Sequence, residues 1–354
     1  MSASGLRHVN ALDGVRGVAV ALVVVHHVVV RDPDAVVRGG WLGVDLFFVL
    51  SGFLITVSVL QRPEVGGFLR RRWWRLGPAM AVFLAVYAVA SIGADDARQR
   101  LEWLLAATTQ WTNVQGAIGP PFSPHMGHLW SLSAEVQFYV VWGLGLILLV
   151  RFGAPRPVIA GLVVALFLAS WAERFVLWEG GTPWNRLYLG PDTHGGSLLA
   201  GCALGLAYAW LDVARLRRPL AFLALPAAAV MAWMVVELSF LDGRTYQWGL
   251  TAVAVAGVIF VAGGATGAPS PLRPVFELLP LVVLGRISYS VYLWHLPIIE
   301  EVSRRNEGDI ARIAAIAIPL SLAAGALSYL LVERPFLRGM PRRQPTARHP
   351  SPTR

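Results

Sequence analysis

The stretch LDGVRGVAVALVVVHHVVV, residues 12–30, is apolar enough to cross a bilayer, yet it carries Asp13, Arg16, His26 and His27. A hydrocarbon core takes roughly 20 residues of helix, and an ionisable side chain at that depth is costly unless paired, hydrated or close to an interface. Arg16 and His27 are eleven residues apart. At about 100° and about 1.5 Å per residue they fall on almost the same helical face, roughly 16 Å apart along it. One wall of this helix therefore bears a cation near one end and an imidazole near the other, with His26 turned about 100° away. An arginine snorkelling to the headgroups, with both histidines in the opposite interface, would give the same pattern. Asp13 and Arg16 interrupt the run too early for a cleaved signal peptide, so it is expected to be a retained first span.

The rest of the chain follows this pattern. Of 354 residues, 56% are hydrophobic and 14% charged, which points to an all-α, polytopic integral membrane bundle. Apolar runs lie near 12–30, 41–60, 76–93, 128–150, 157–176, 195–211, 218–236, 247–264, 280–300 and 311–333, predicting about ten spans. The run at 195–211 is short and glycine-rich, and LEWLLAATTQW at 101–111 is long enough only to lie along the interface. All 30 basic residues are arginine. With both termini cytoplasmic, inner segments hold 18 of them (Arg7; Arg62, Arg70, Arg71, Arg72 and Arg75; then Arg151 onward) against 10 in outer segments, where Asp32, Asp34, Asp95, Asp96 and Glu301 offset them. The net charge of +9 is thus accounted for without nucleic acid. Cys202 is the only cysteine, which excludes an intramolecular disulfide or a cysteine metal cluster; in GCALG it reads as small packing. Residues 1–336 are expected to form the membrane domain and the basic, proline-rich 337–354 a disordered cytoplasmic tail. The expected location is the plasma membrane, crossed many times.

Further polar residues recur at membrane depth. HLWSLSAEVQFY sets His128, Ser131 and Glu135 on one face at i, i+3 and i+7. Glu135 is expected about 9 Å below the outer end, level with His27; a tie between helices is the structural alternative. GVDLFFVLSGFLIT places Asp45 in the outer half and Ser51 beside Gly52, where backbones can approach closely. GRISYSVYLWHLP puts Arg286 at the inner end, His295 near the outer end, and Tyr289 and Tyr292 between. An aromatic belt suits Trp294 better than the deeper Tyr289.

These blocks, with FLRRRWWRLGPA and SYLLVERPF, resemble in composition and order the integral-membrane acyltransferase family 3 proteins, bacterial O-acyltransferases of sugars and antibiotics. The likeness runs from residue 11 to 336. Arg16 and His27 map onto the family's first-span basic residue and histidine. Where the family commonly has arginine, PDTHGG carries His194, and a fused hydrolase-like domain of some relatives is expected to be absent. The resemblance implies transfer of an acyl group, usually acetyl, from acyl-CoA to a hydroxyl of a carbohydrate or glycosylated natural product, with the first-span histidine essential and acyl-CoA as co-substrate. Arg16, Arg71, Arg72, Arg75 and Arg286 would then bind the donor's phosphates. His27 would act as base or acyl relay with Glu135 orienting it, making His27, Glu135 and Arg16 the catalytic set. Asp45, Ser51, His128, Ser131, Tyr289, Tyr292 and His295 would support the acceptor. No bound cofactor and no metal are expected; zinc on His125, His128 and His295 is a minor variant. A proton-coupled transporter or flippase is the alternative of a different class.

Overall fold

The computed structural model describes residues 9–339 except 33–34, 95, 120–122 and 307. Arg7, Asp34, Asp95 and the tail beyond residue 339 lie outside the described residues. Among those described there is no strand. In chain order the helices are α1 (Asn10–Val29), α2 (Gly40–Gln61), α3 (Val65–Ala90), α4 (Ala97–Thr108), α5 (Thr112–Ile118), α6 (Gly127–Arg151), α7 (Arg156–Glu179), α8 (Trp184–Leu189), α9 (Gly196–Trp210), α10 (Arg217–Glu237), α11 (Thr245–Thr266), α12 (Leu279–Arg286), α13 (Ser288–Arg305) and α14 (Ile310–Arg338).

Eight of these are long and apolar enough to span a membrane: α1, α2, α3, α6, α7, α10, α11 and α14. The predicted ninth run is instead two helices, α12 and α13, meeting at a 78° bend, and the 195–211 run is the short α9. All ten apolar runs are thus helical, and the chain is an all-α, multi-pass membrane bundle. The third prediction began too late. Arg70, Arg71, Arg72 and Arg75, read as loop, lie within α3, which begins at Val65 and continues through Pro78; arginine is a good helix former. Arg174, counted with the outer loops, is buried inside α7.

Two crossings carry the core, and both depend on glycine. At α2 against α9, a Cβ on Gly52 would stand 2.0 Å from the Leu198 carbonyl oxygen, and one on Gly201 2.1 Å from that of Val49. At α1 against α12, a Cβ on Gly285 would meet the Asp13 carbonyl oxygen at 1.8 Å. Lipid tails supply no hydrophobic drive between helices, so close backbone packing of this kind holds the bundle together. Cys202, fully buried beside Gly52 with its Sγ 3.7 Å from that carbonyl, fills the first crossing as expected.

Three helices also widen locally into π turns, one of them α11 at Thr245–Gly249. In α6 this covers Tyr139–Gly143, and in α14 Tyr329–Glu333. That of α14 has a cause in sequence: Pro335 has no N–H for the Leu331 carbonyl and clashes with it. The π turns of α6 and α14 place Tyr139 and Glu333 in the bundle interior.

Candidate functional site

Two cavities lie along the core. The first, about 60 Å³, is lined by Arg16 of α1, Ser51 of α2, Arg72 and Arg75 of α3, and Glu135 and Tyr139 of α6. Three arginines converge there against one carboxylate. The Ser51 and Tyr139 hydroxyls both donate to Glu135, and the Arg72 guanidinium lies 4.8 Å over the Tyr139 ring. Ser288, at the N-terminus of α13, and Tyr289 complete the wall, with the Tyr289 hydroxyl donating to the Leu76 carbonyl at 2.7 Å. Tyr289 therefore ties α13 to α3 beside the first cavity.

The second cavity, about 230 Å³, contains His27 and His128. Val44 and Tyr292 line both cavities and form the partition between them. Tyr292 is fixed from one side: its hydroxyl donates to the His128 carbonyl at 2.8 Å and lies 2.7 Å from the Ser131 hydroxyl. At the mouth, Glu300 accepts from Arg31 at 2.5 Å.

Hydrogen bonding fixes the tautomers here. His295 Nδ1 is 2.6 Å from the Tyr292 carbonyl, which can only accept, so Nδ1 carries the proton and Nε2 a lone pair. His27 Nδ1 is 2.9 Å from the Val23 carbonyl and 3.3 Å from that His295 Nε2. Both neighbours are acceptors, so the His27 proton is on Nδ1. His27 Nε2 is left as an unprotonated base in a residue that lines the cavity. His128 Nε2 likewise donates to the Leu293 carbonyl at 3.1 Å.

Several expected placements change. Glu135 does not sit with His27: it lines the arginine cavity, and the side chain that lies against His27 Nδ1 is His295. Seven residues of α6 separate His128 from Glu135, about 10 Å along the axis, which carries the stripe from one cavity into the other. Arg286 is tied at the bend to Asp13 at 3.2 Å and to Asn10 at 3.1 Å, and does not line the cavity. Arg71, one position before Arg72, turns to the other side of α3, against Gly67. Asp45 lines neither cavity. It is fully buried behind the second, accepting from Ser197 at 2.5 Å and meeting His194 Nε2 at 3.1 Å.

His194, the departure from the family pattern, thus forms a buried pair with Asp45 and stacks on Trp130, a wall residue of the second cavity, with centroids 5.4 Å apart. Nearby, Arg174 donates to the carbonyls of Tyr246 and Thr193 at 2.8 and 2.9 Å. Glu333 accepts from Ser290 at 2.9 Å. Neither Arg174 nor Glu333 stood out in sequence, although a charge near the end of an apolar run, beside Glu173, was a signal for Arg174. His128 and His295 are neighbours, with ring centroids 5.1 Å apart, but His125 packs toward Tyr87. Among the described residues no three His, Cys, Asp or Glu side chains are grouped to hold a metal ion.

Comparison with known proteins matches the sequence of this chain to a family. Three curated relatives are the peptidoglycan O-acetyltransferase OatA of Listeria monocytogenes (30% identical over 93% of this chain and 56% of its own), the putative peptidoglycan O-acetyltransferase YrhL of Bacillus subtilis (30%, 93% and 55%) and the O-acetyltransferase OatA of Staphylococcus aureus (29%, 93% and 57%). The chain spans about half the length of these relatives. No solved structure matches it. The Acyltransferase domain family matches residues 9–331, covering both cavities and every helix that lines them, and the chain belongs to that family.

Proposed function

We propose that the protein is a membrane O-acetyltransferase that moves an acetyl group from acetyl-CoA, on the cytoplasmic side, to a hydroxyl of a cell-envelope carbohydrate on the far side of the plasma membrane. The observation that carries this reading is the abutment of two unlike cavities, one rich in arginine and one holding a free imidazole nitrogen, across a partition of two side chains. Arg16, Arg72 and Arg75 suit the phosphates of coenzyme A, since guanidinium forks match phosphate geometry. The pantetheine arm would run along the Arg16–His27 face of α1 and bring the thioester to the partition. The arginine cavity is tight, so its walls part to admit the arm.

His27 Nε2 takes the proton of the acceptor hydroxyl as its oxygen attacks the thioester carbonyl. The C–S bond then breaks, and the imidazolium returns the proton to the departing thiolate. Throughout, His27 Nδ1–H stays directed at the Val23 carbonyl and His295 Nε2, which keep the ring oriented and favour its charged form. The names of the relatives favour a peptidoglycan sugar as acceptor.

The test is transfer of label from acetyl-CoA to envelope glycans by membranes containing wild type or His27→Ala. The expected result is label on glycan with wild type and none with the variant, while both insert equally. Equal transfer by the variant would remove His27 from the chemistry, and absence of transfer from any acyl-CoA would overturn the reading.

A further inference from the structure

A third cavity, about 600 Å³, adjoins the histidine cavity at the His27 end of the bundle. Four segments that end or begin there supply its walls: Arg31 just past α1, His125 before α6, Glu300 and Arg304 near the end of α13, and Ile313 at the start of α14. In the proposed orientation this is the outer face, and the cavity is a vestibule on the way to His27. Among the described residues, Pro124 and Glu300 line both cavities and so mark the passage between them.

Helical pitch brings charge to that passage. Along α13, Tyr292, Leu296 and Glu300 line the histidine cavity at i, i+4 and i+8, and Glu300, Ser303 and Arg304 continue into the vestibule. On the other side, the Val30 N–H still bonds the His26 carbonyl at 2.8 Å, so Arg31 follows His27 by one turn on the same face. Val30 lines the histidine cavity, and Arg31 lines the vestibule. The Arg31 guanidinium donates to Glu300 at 2.5 Å, closing a bond across the passage one turn outside His27.

The pair is partly exposed, Arg31 at 41% and Glu300 at 16%. Ion pairs in contact with water contribute little, so this bond is not what holds α1 to α13, which already pack on each other through His27 and His295. A weak bond across a passage instead keeps it narrow and parts at small cost. Such a device lowers ligand affinity, because the apparent dissociation constant is the intrinsic one divided by the open fraction. We propose that Arg31 and Glu300 form a latch that controls entry from the vestibule into the histidine cavity. The assignment rests on the acyl-transfer reading above and adds the groups that regulate its acceptor side; neither residue touches the reacting atoms.

The experiment times the labelling of a thiol inside the histidine cavity, with the full chain in lipid nanodiscs. Leu296→Cys supplies the thiol, and wild type, whose Cys202 is fully buried, gives the background. A cationic and an anionic methanethiosulfonate are used side by side, because a change of charge at the passage moves their rates in opposite directions and their geometric mean reports width. Arg31→Met and Glu300→Met keep the bulk of each side chain and break the pair. Each should raise the mean rate about threefold to fivefold, the scale of a partly exposed ion pair. Arg304→Met, which breaks a vestibule pair with Glu301 on the same helix, should leave it unchanged. In acetyl transfer to soluble peptidoglycan fragments, without the added cysteine, both latch variants should lower the acceptor KM by the same factor, with the KM of acetyl-CoA unmoved. A mean labelling rate unchanged in both, or raised as much by Arg304→Met, overturns the latch and leaves acyl transfer standing. So does an acceptor KM that rises, which would make the altered residue a contact of the acceptor. Faster labelling in both latch variants, with no acetyl transfer by wild type, supports the latch and sinks the transfer reading.

Discussion

Replacing His295 with alanine separates the orientation of the His27 imidazole, the base proposed above, from the imidazole itself. His295 is fully buried and gives its own Nδ1–H to the Tyr292 carbonyl, so its Nε2 can act toward His27 only as an acceptor, at 3.3 Å. While His27 is neutral this contact is weak. Once His27 takes the acceptor's proton, its Nδ1–H belongs to an imidazolium, and a hydrogen bond to a charged group contributes about 1.5–3 kcal/mol. At about 1.4 kcal/mol per factor of ten, losing it should lower kcat by about 10- to 150-fold. The Val23 carbonyl, still 2.9 Å from the same nitrogen, keeps the loss from being complete. Removing the base with His27→Ala should cost more, on the order of 10²–10⁴. The two losses should not add, because His295 acts only through His27. The assay is single-turnover acetyl transfer in proteoliposomes for wild type, both single variants and the double variant, with thermal unfolding as a check on the emptied site. His295→Gln, whose side-chain oxygen can accept in place of Nε2, should recover part of the rate. A kcat for His295→Ala within twofold of wild type would refute the reasoning, as would a double variant slower than His27→Ala by the full His295 factor.

Arg72→Ala should raise the KM of acetyl-CoA about tenfold or more, the scale of a lost charge-assisted hydrogen bond, with the acceptor KM unchanged; Arg286→Ala, outside the cavity, should leave the donor KM alone. A cysteine in place of Arg70, exposed on α3, should react with an impermeant thiol reagent only from the cytoplasmic side, and reaction from outside would invert the proposed orientation. Gly52→Leu should abolish accumulation of folded protein in the membrane, since its Cβ alone would lie 2.0 Å from a backbone oxygen of α9; normal yield and melting temperature would mean that the α2–α9 crossing does not hold the bundle.

What sequence alone conveyed, and where it failed, has one geometric origin. Relations along a single helix were readable because helical pitch fixes them. Arg16 and His27 fall on one wall of α1, His128, Ser131 and Glu135 on one face of α6, and Tyr289, Tyr292 and His295 along α13, all as expected. Relations between helices were not readable, because they depend on how far each helix is slid along its neighbour. Glu135 was assigned to His27 on depth, whereas it meets Ser51 and Tyr139 in the arginine cavity. His194 meets Asp45 across 149 positions of chain, and Ser290 meets Glu333 across 43, pairs that no periodicity announces. Laid side by side, the three stripes nonetheless give an internal check. Along α1 and α13 the residues run from the arginine cavity to the histidine cavity as numbers rise, Arg16 to His27 and Ser288 to His295. Along α6 they run the other way, from His128 to Glu135. A first and a ninth span must cross in one sense and a fourth in the opposite sense, so the polar stripes reproduce the alternation that the apolar runs require. The alignment of the two cavities is therefore a product of the same helix order that builds the bundle, and a slip of one turn in any of the three helices, about 5.4 Å, would break it.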